Sequence, residues 1–365
     1  MHQRRRTFLA GAAAAAAAAS VPFAVRASAP PSTLRIGIAT GGVGTPVRHG
    51  GSTTALVRNA GEIERAVAAD GTKVEWIFFK GAGPAVNEAL VNRQIDLAWQ
   101  GDLPSIVHRA NGVRTRIVVG SGVRTGQYLA VPANSPIRKL EELRGKRVAV
   151  FKGTNLHLVA VRALDARGLK ESDVRLVNLD LAGGQAALAA GDIDAAFGYV
   201  ELFGLQDRGV AKVIWSAHDD SYRFTRQTVL LARDEYAEQH PQTVQRVVTA
   251  HVKVARAWTD EQRRADLFEE WGKAERVADD WRRDFLGQPL KTRLSPLLDP
   301  FLVARYEDAA DAAFKLKLIR TRPEIRSWFD RRFVDAAVRE LGQHDYWPVY
   351  GADGTLLGSA LARAR

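Results

Sequence analysis

The chain has 365 residues, no cysteine, one methionine, 46% hydrophobic and 25% charged residues, and a formal net charge of +11. Without cysteine there is no disulfide framework, no thiolate metal site and no Cys nucleophile. The composition is that of a globular protein, the length suits about two domains, and no apolar run beyond residue 40 is long enough to span a membrane.

The first residues read as an address. Arg4, Arg5 and Arg6 precede Thr7-Phe8-Leu9 and an apolar, Ala-rich run from Ala10 to Ala19. That order of charge, short apolar segment and small residues predicts a cleaved secretory signal over residues 1–27. Arg5-Arg6-Thr7-Phe8-Leu9 also resembles the twin-arginine signal, which implies export of a folded protein. Cleavage is expected after Ala27, since the alternative after Ala29 would leave Pro30 at the new terminus. Removing residues 1–27 takes away four arginines and no acid, leaving +7 spread along the chain. No clustered basic motif accompanies that charge, so no nucleic-acid partner is expected.

From residue 34 the pattern alternates strands with helices. Leu34–Ala39 is a predicted strand running into a Gly-rich loop, and Ser52-Thr53-Thr54 offers an N-cap for a helix to about Ala69. Lys73–Phe79 is a strand, Pro84–Arg93 a helix, Ile95–Trp99 a strand and Leu103–Ala110 a helix. Strands Arg116–Ser121 and Tyr128–Val131 follow. A second unit repeats the grammar. Leu140–Leu143 is a short helix, Arg147–Phe151 a strand, Leu156–Arg167 a helix, Val174–Leu179 a strand, Gly184–Ala190 a helix and Ala195–Tyr199 a strand. Lys212–Trp215 and Thr228–Leu231 complete the strands, and beyond Asp234 the pattern is helical with prolines as punctuation. Two mostly parallel α/β lobes with a helical C-terminal region are therefore expected. Lobe 1 is expected over 34–130 plus 232–350 and lobe 2 over 131–231, with crossings near Leu129–Pro132 and Val229–Arg233.

No P-loop, HExxH, GxSxG or EF-hand pattern occurs. His49, His108, His157 and His251 lack an i, i+4 partner and read as structural or solvated rather than as zinc ligands. Glu141-Glu142 and Asp219-Asp220 read as helix starts and turns rather than as an acid/base pair. The positive signal lies in three turns that follow strands and open helices: Gly51-Ser52-Thr53, Gln100-Gly101-Asp102 and Gly153-Thr154-Asn155. Helix starts expose unpaired N–H groups and partial positive charge, so such turns hold anions. Plain N-capping explains the same residues equally well.

Several runs resemble the periplasmic sulfonate/nitrate/taurine family of substrate-binding proteins. They are Gln100-Gly101-Asp102-Leu103-Pro104, Leu129-Ala130-Val131-Pro132, Phe151-Lys152-Gly153-Thr154-Asn155-Leu156-His157 and Gly191-Asp192-Ile193-Asp194-Ala195. The resemblance implies a type II periplasmic binding-protein fold, with a small ligand held between two lobes for delivery to an ABC permease. It implies a monomer without cofactor, contacting ligand through Gly42, Ser52, Thr53, Gln100, Gly101 and Asp102 on one side. On the other side it implies Thr154, Asn155, Tyr199 and Glu201. An aliphatic sulfonate is the first expectation, nitrate or a pyrimidine precursor the alternatives, and a pyrimidine-synthase-like enzyme of the same fold a further one. The chain departs from the family pattern in its long loop Gly41–Gly51 and in Tyr199-Val200-Glu201. Asp102 and Glu201 would disfavour a bare anion unless a cation partners them. Trp99, Tyr128, Tyr199 and Phe203 are able to stack on an aromatic ligand, with core packing as the competing role.

Overall fold

The computed structural model describes residues 29–274 and 277–359. The expected signal segment lies outside the described residues.

Two five-stranded sheets organise the chain. The first contains β1 (Thr33–Ile38), β2 (Lys73–Phe78), β3 (Leu97–Gly101), β4 (Thr115–Gly120) and β10 (Thr228–Arg233), in the order β2-β1-β3-β10-β4. The second contains β5 (Tyr128–Pro132), β6 (Arg147–Val150), β7 (Arg175–Asn178), β8 (Ala195–Gly198) and β9 (Ala211–Ser216), in the order β7-β6-β8-β5-β9. All ten strands were expected near these positions, but the sheets are mixed rather than mostly parallel. β1 pairs with β2 and β3 in parallel, and β6 with β7 and β8, while β10 and β5 run antiparallel to both of their neighbours. The two antiparallel strands are those next to the crossings, where the chain enters a sheet from the opposite end.

Strand pairing also moves the crossings. Tyr128–Ala130 pair within the second sheet and Thr228–Leu231 within the first, so the crossings are residues 121–127 and 217–227. They run side by side: Thr125 and Arg226 form an antiparallel bridge, each N–H donating to the other's carbonyl at 2.9 and 2.8 Å. Two adjacent connections between lobes, extended where they meet at Thr125 and Arg226, are the geometry of a hinge.

Local chemistry explains the helices that matter for the cavity. Ser52 caps α1 (Thr53–Ala60), its Oγ accepting from Ala55 N at 3.2 Å, but Gly61 in the left-handed region ends that helix. The expected helix to Ala69 is thus two, α1 and α2 (Glu62–Ala68). Helices α3 (Ala82–Val91) and α4 (Asp102–Ala110) follow β2 and β3. Helices α5 (Asn155–Asp165), α6 (Leu181–Ala190) and α7 (Glu201–Asp207) follow β6, β7 and β8. One apolar core extends from the first sheet and its helices to one face of the second sheet, and a smaller one around Leu129, Val148, Leu164 and Phe197 covers that sheet's other face. The C-terminal helices return over both lobes: Pro300–Lys315 packs against α4 and α5, and Ala278–Asp284 against α7.

Candidate functional site

A cavity of about 550 Å³ lies between the sheets, within the size range of small-molecule sites. Its walls follow the carboxyl ends of strands, where α/β sheets bind ligands. Ala39–Val43 come after β1, Lys80 after β2, Gly101 ends β3, Phe151 follows β6, Asp180 comes after β7 and Tyr199 follows β8. Thr125 and Arg226 enter from the crossings and Trp281 from the C-terminal region.

Helix starts converge here. Ala82 and Gly83 open α3, Gly101 precedes α4, Asn155 and Leu156 open α5, and Leu181 and Ala182 open α6; all line the cavity. First-turn N–H groups have no intrahelical acceptor, so the starts of α3, α5 and α6 supply donors and partial positive charge to one space. At α4, Asp102 N donates to Gln227 O, Leu103 N to the Asp102 carboxylate and Pro104 has no N–H, so this start adds only its partial charge. Arg226 adds a full charge. It is 7% exposed, donates to Gly126 O through Nε and Nη2 at 2.9 and 2.7 Å, and sits over the Tyr199 ring at 4.2 Å. That leaves its Nη1 donors for a ligand. Lys80 stands exposed at the rim. Asp180 is the acid of the wall, and its carboxylate caps α6 by accepting from Gly183 N at 2.7 Å.

Of the ten expected contacts, Gly42, Gly101, Thr154, Asn155 and Tyr199 line this cavity. The other five do not. Ser52 is the buried cap of α1, and Thr53 is wholly buried beside it; Gly50 and Gly51 form the wall instead. Gln100 turns into a buried polar cluster with Asn87 and His108, at 3.2 and 3.0 Å. Asp102 accepts from Leu103 N and Gln227 N at 2.7 and 3.0 Å, which ties α4 to the second crossing. Burial pushes its pKa up to about 6, against the pull of those two backbone donors. Glu201 folds back on its own turn and accepts from Tyr199 N at 2.7 Å. The two acids expected to repel an anion are therefore structural, each held by backbone N–H groups.

Two further expectations change. Thr154 neither caps α5 nor offers its hydroxyl hydrogen, which goes to Phe151 O at 2.7 Å. The donors this turn leaves free are thus backbone N–H groups at the start of α5. Among the aromatics, Trp99 and Tyr199 line the cavity, whereas Tyr128 and Phe203 are core.

Sequence reasoning missed His49, Lys80, Arg226 and Trp281. His49 is 2% exposed, with Phe78 and Trp99 at ring separations of 5.6 and 5.5 Å. Burial, with Arg58 adding to it, lowers its pKa to about 3, so the ring is neutral at physiological pH. Trp281 packs directly on Gly51, where an added Cβ would lie 2.4 Å from the indole, and Gly51 has φ +73°. Gly51→Ala therefore combines left-handed strain with overpacking and is expected to destabilise the ligand-free protein by about 2–4 kcal/mol, seen as a lower urea midpoint. Gly101 plays a similar part between the lobes: a Cβ there would lie 2.5 Å from Asn155 Nδ2, so the bare backbone lets α4 and α5 start against each other.

A deeper polar cluster lies beneath the wall. The Asp284 carboxylate is wholly buried and accepts from Arg293 Nη2 at 2.6 Å, Tyr128 OH at 2.8 Å and Tyr199 OH at 3.1 Å, with His218 Nε2 at 3.4 Å. Burial alone would raise its pKa, but the Arg293 charge and the His218 contact outweigh that and hold it well below the usual carboxylate range. Tyr128 and Tyr199 belong to the second lobe and His218 to the second crossing. The Arg293 segment packs on the first crossing, Val123 N donating to Arg293 O at 3.0 Å, and on the first lobe, Gly120 N of β4 donating to Pro296 O at 3.0 Å. One carboxylate thus joins the lobes next to the cavity.

Comparison with known proteins agrees with this architecture. A family described as NMT1/THI5 like matches residues 68–265. The chain is 34% identical to an Escherichia coli protein named for aliphatic sulfonate binding, over 47% of this chain and 51% of that one, so the match spans about half of that relative. A Bacillus subtilis protein of the same name is 26% identical over 78% of this chain and 84% of its own. The solved periplasmic sulfonate-binding protein of a sulfonate ABC transporter from Methylobacillus flagellatus superposes with a TM-score of 0.75 at 29% identity, covering 89% of this chain and 98% of that one. The two-sheet architecture is that of a periplasmic binding protein, as the sequence resemblance implied. The relatives named here are binding proteins.

Proposed function

The chain belongs to the NMT1/THI5-like family, and from that premise we propose that it is the solute-binding component of an ABC importer, capturing a small organic sulfonate between its lobes. The observation that carries this reading is the meeting of the α3, α5 and α6 starts with the Arg226 guanidinium at one cavity. A sulfonate is a permanent anion with three acceptor oxygens, and it suits several backbone donors and one fixed cation better than it suits a single lysine. The proposed protein works in the periplasm after twin-arginine export, as a monomer that hands its ligand to a membrane permease. It acts by binding alone. Among the described residues of the wall, burial makes His49 a weak base and Asp180 is committed to a helix start, and the chain has no cysteine.

The test is a thermal-shift and calorimetric comparison of ethanesulfonate and taurine with sulfate, nitrate and acetate. A true ligand at a hundred times its Kd adds about 2.7 kcal/mol of stability. If no sulfonate shifts the melting temperature while one of the other anions does, the sulfonate reading fails. The α5 start is tested separately. Thr154→Asp puts a carboxylate among the anion donors and is expected to lower sulfonate affinity more than tenfold, with the ligand-free melting temperature within a few degrees of wild type, since an acid is also a good N-cap. Thr154→Ala removes only the bond to Phe151 O, so about 1 kcal/mol of stability is lost and affinity changes little.

A further inference from the structure

The anion groups occupy one part of the cavity; the rest is lined by aromatic rings with unused polar atoms. His49 is buried in the cavity wall, and neither ring nitrogen has a hydrogen-bond partner among the described residues. The indole N–H groups of Trp99 and Trp281, both wall residues, are likewise without acceptors. The Tyr199 hydroxyl is spent on Asp284, so this residue offers the cavity its ring rather than its oxygen. That ring is held by Arg226 at 4.2 Å and by the Trp281 edge at 5.6 Å.

A short alkyl sulfonate does not use this wall. It would fill a minor part of about 550 Å³ and leave the imidazole and two indole N–H groups of the wall unpartnered, where unpaired buried polar atoms are costly. A flat ring meets rings in offset or edge contacts worth more than area alone. An indole N–H only donates, while a neutral imidazole carries one donor and one acceptor nitrogen. The complement is an aromatic ring bearing a group that both accepts and donates, such as a hydroxyl.

We propose that the wall formed by His49, Trp99, Tyr199 and Trp281 is a recognition site for an aromatic ring with a polar substituent, so that the protein's preferred ligand is a substituted arylsulfonate. This rests on the reading of the cavity as an organic-anion site and adds the class of the organic body. The sulfonate lies at the α5 start with Arg226, the ring lies against Tyr199 and Trp99, and the substituent reaches His49.

Calorimetry with four probes separates the two layers: butanesulfonate, 4-hydroxybenzenesulfonate, butanoate and 4-hydroxybenzoate. The hydroxyaryl sulfonate is expected to bind at least tenfold tighter than butanesulfonate. In His49→Phe, which keeps the ring and removes the nitrogens, most of that advantage is expected to vanish; Trp99→Phe tests the indole N–H in the same way. Butanesulfonate binding as tightly as its aryl counterpart overturns the ring site and leaves the sulfonate reading standing. Tight 4-hydroxybenzoate binding with no sulfonate binding does the reverse. No binding of any probe at millimolar concentration overturns both. An undiminished aryl advantage in a folded His49→Phe removes His49 from the proposal.

Discussion

Replacing Asp284 by alanine is expected to cost about 3–5 kcal/mol of stability, the range for removing one partner of a buried ion pair. The Arg293 guanidinium, 2% exposed and lying against the Phe285 ring at 3.9 Å, would keep its charge without the carboxylate that balances it. Two tyrosine hydroxyls from the second lobe would lose their acceptor in the same step. Equilibrium urea denaturation of the ligand-free protein measures the loss, and a change below 1 kcal/mol would show that the cluster is not what joins the lobes. The pH dependence has a definite sign. The folded-state pKa of Asp284 lies below its unfolded value of about 3.9, so its stabilisation is complete above that pH and is lost as pH falls further. Wild type should therefore weaken steeply in acid, and Asp284→Asn, already lacking the charge, should show a shallower acid limb.

Arg226→Met is expected to weaken binding of the proposed sulfonate ligand by roughly 10- to 150-fold, which corresponds to a charge-assisted hydrogen bond of about 1.5–3 kcal/mol. Methionine keeps much of the buried stem and removes the guanidinium. The fold should survive, because the backbone bridge between Thr125 and Arg226 does not use the side chain. Gly126 O loses two donors, so some stability goes as well, and the ligand-free melting temperature must be measured beside the Kd. An unchanged Kd would remove Arg226 from the anion site. Arg226→Lys should recover only part of the affinity, since an ammonium cannot bond Gly126 O in two places and still present a donor edge to the ligand.

The strands were legible because β-branched and apolar runs between turn residues carry a local signal. Where a boundary moved, a distant partner moved it. β3 extends through Gln100 and Gly101, residues with little strand preference, because Val229 and Thr228 pair with them from β10. Strand direction was not legible: Tyr128–Pro132 and Thr228–Arg233 read the same forwards or backwards, and only the crossings decide that they run antiparallel to their neighbours. The site was half legible. Gly101, Thr154 and Asn155 sit in strand-to-helix turns, which have a sequence signature. Arg226, Trp281 and His49 come from a crossing, a C-terminal helix and a long loop, and nothing local marks them as facing one cavity. Asp102 and Glu201 misled for a related reason. Their position in a turn is visible in the chain, but whether the carboxylate points to ligand or to a backbone N–H is settled by tertiary contacts.

The two neighbouring crossings also govern how the protein can assemble. The second sheet is built from one unbroken stretch of chain, whereas β10 must insert between β3 and β4 after residues 121–227 have intervened. Closing a loop of that length in an unfolded chain costs roughly 4 kcal/mol of entropy before any pairing offsets it. Once the second lobe has formed, Thr125 and Arg226 are already side by side, and the long loop is reduced to a short splice between β4 and β10. Kinetically, the first sheet is then a late product whose interior strand β10 waits on its neighbour lobe. Core substitutions around Leu129 or Val148 should slow its completion without touching it.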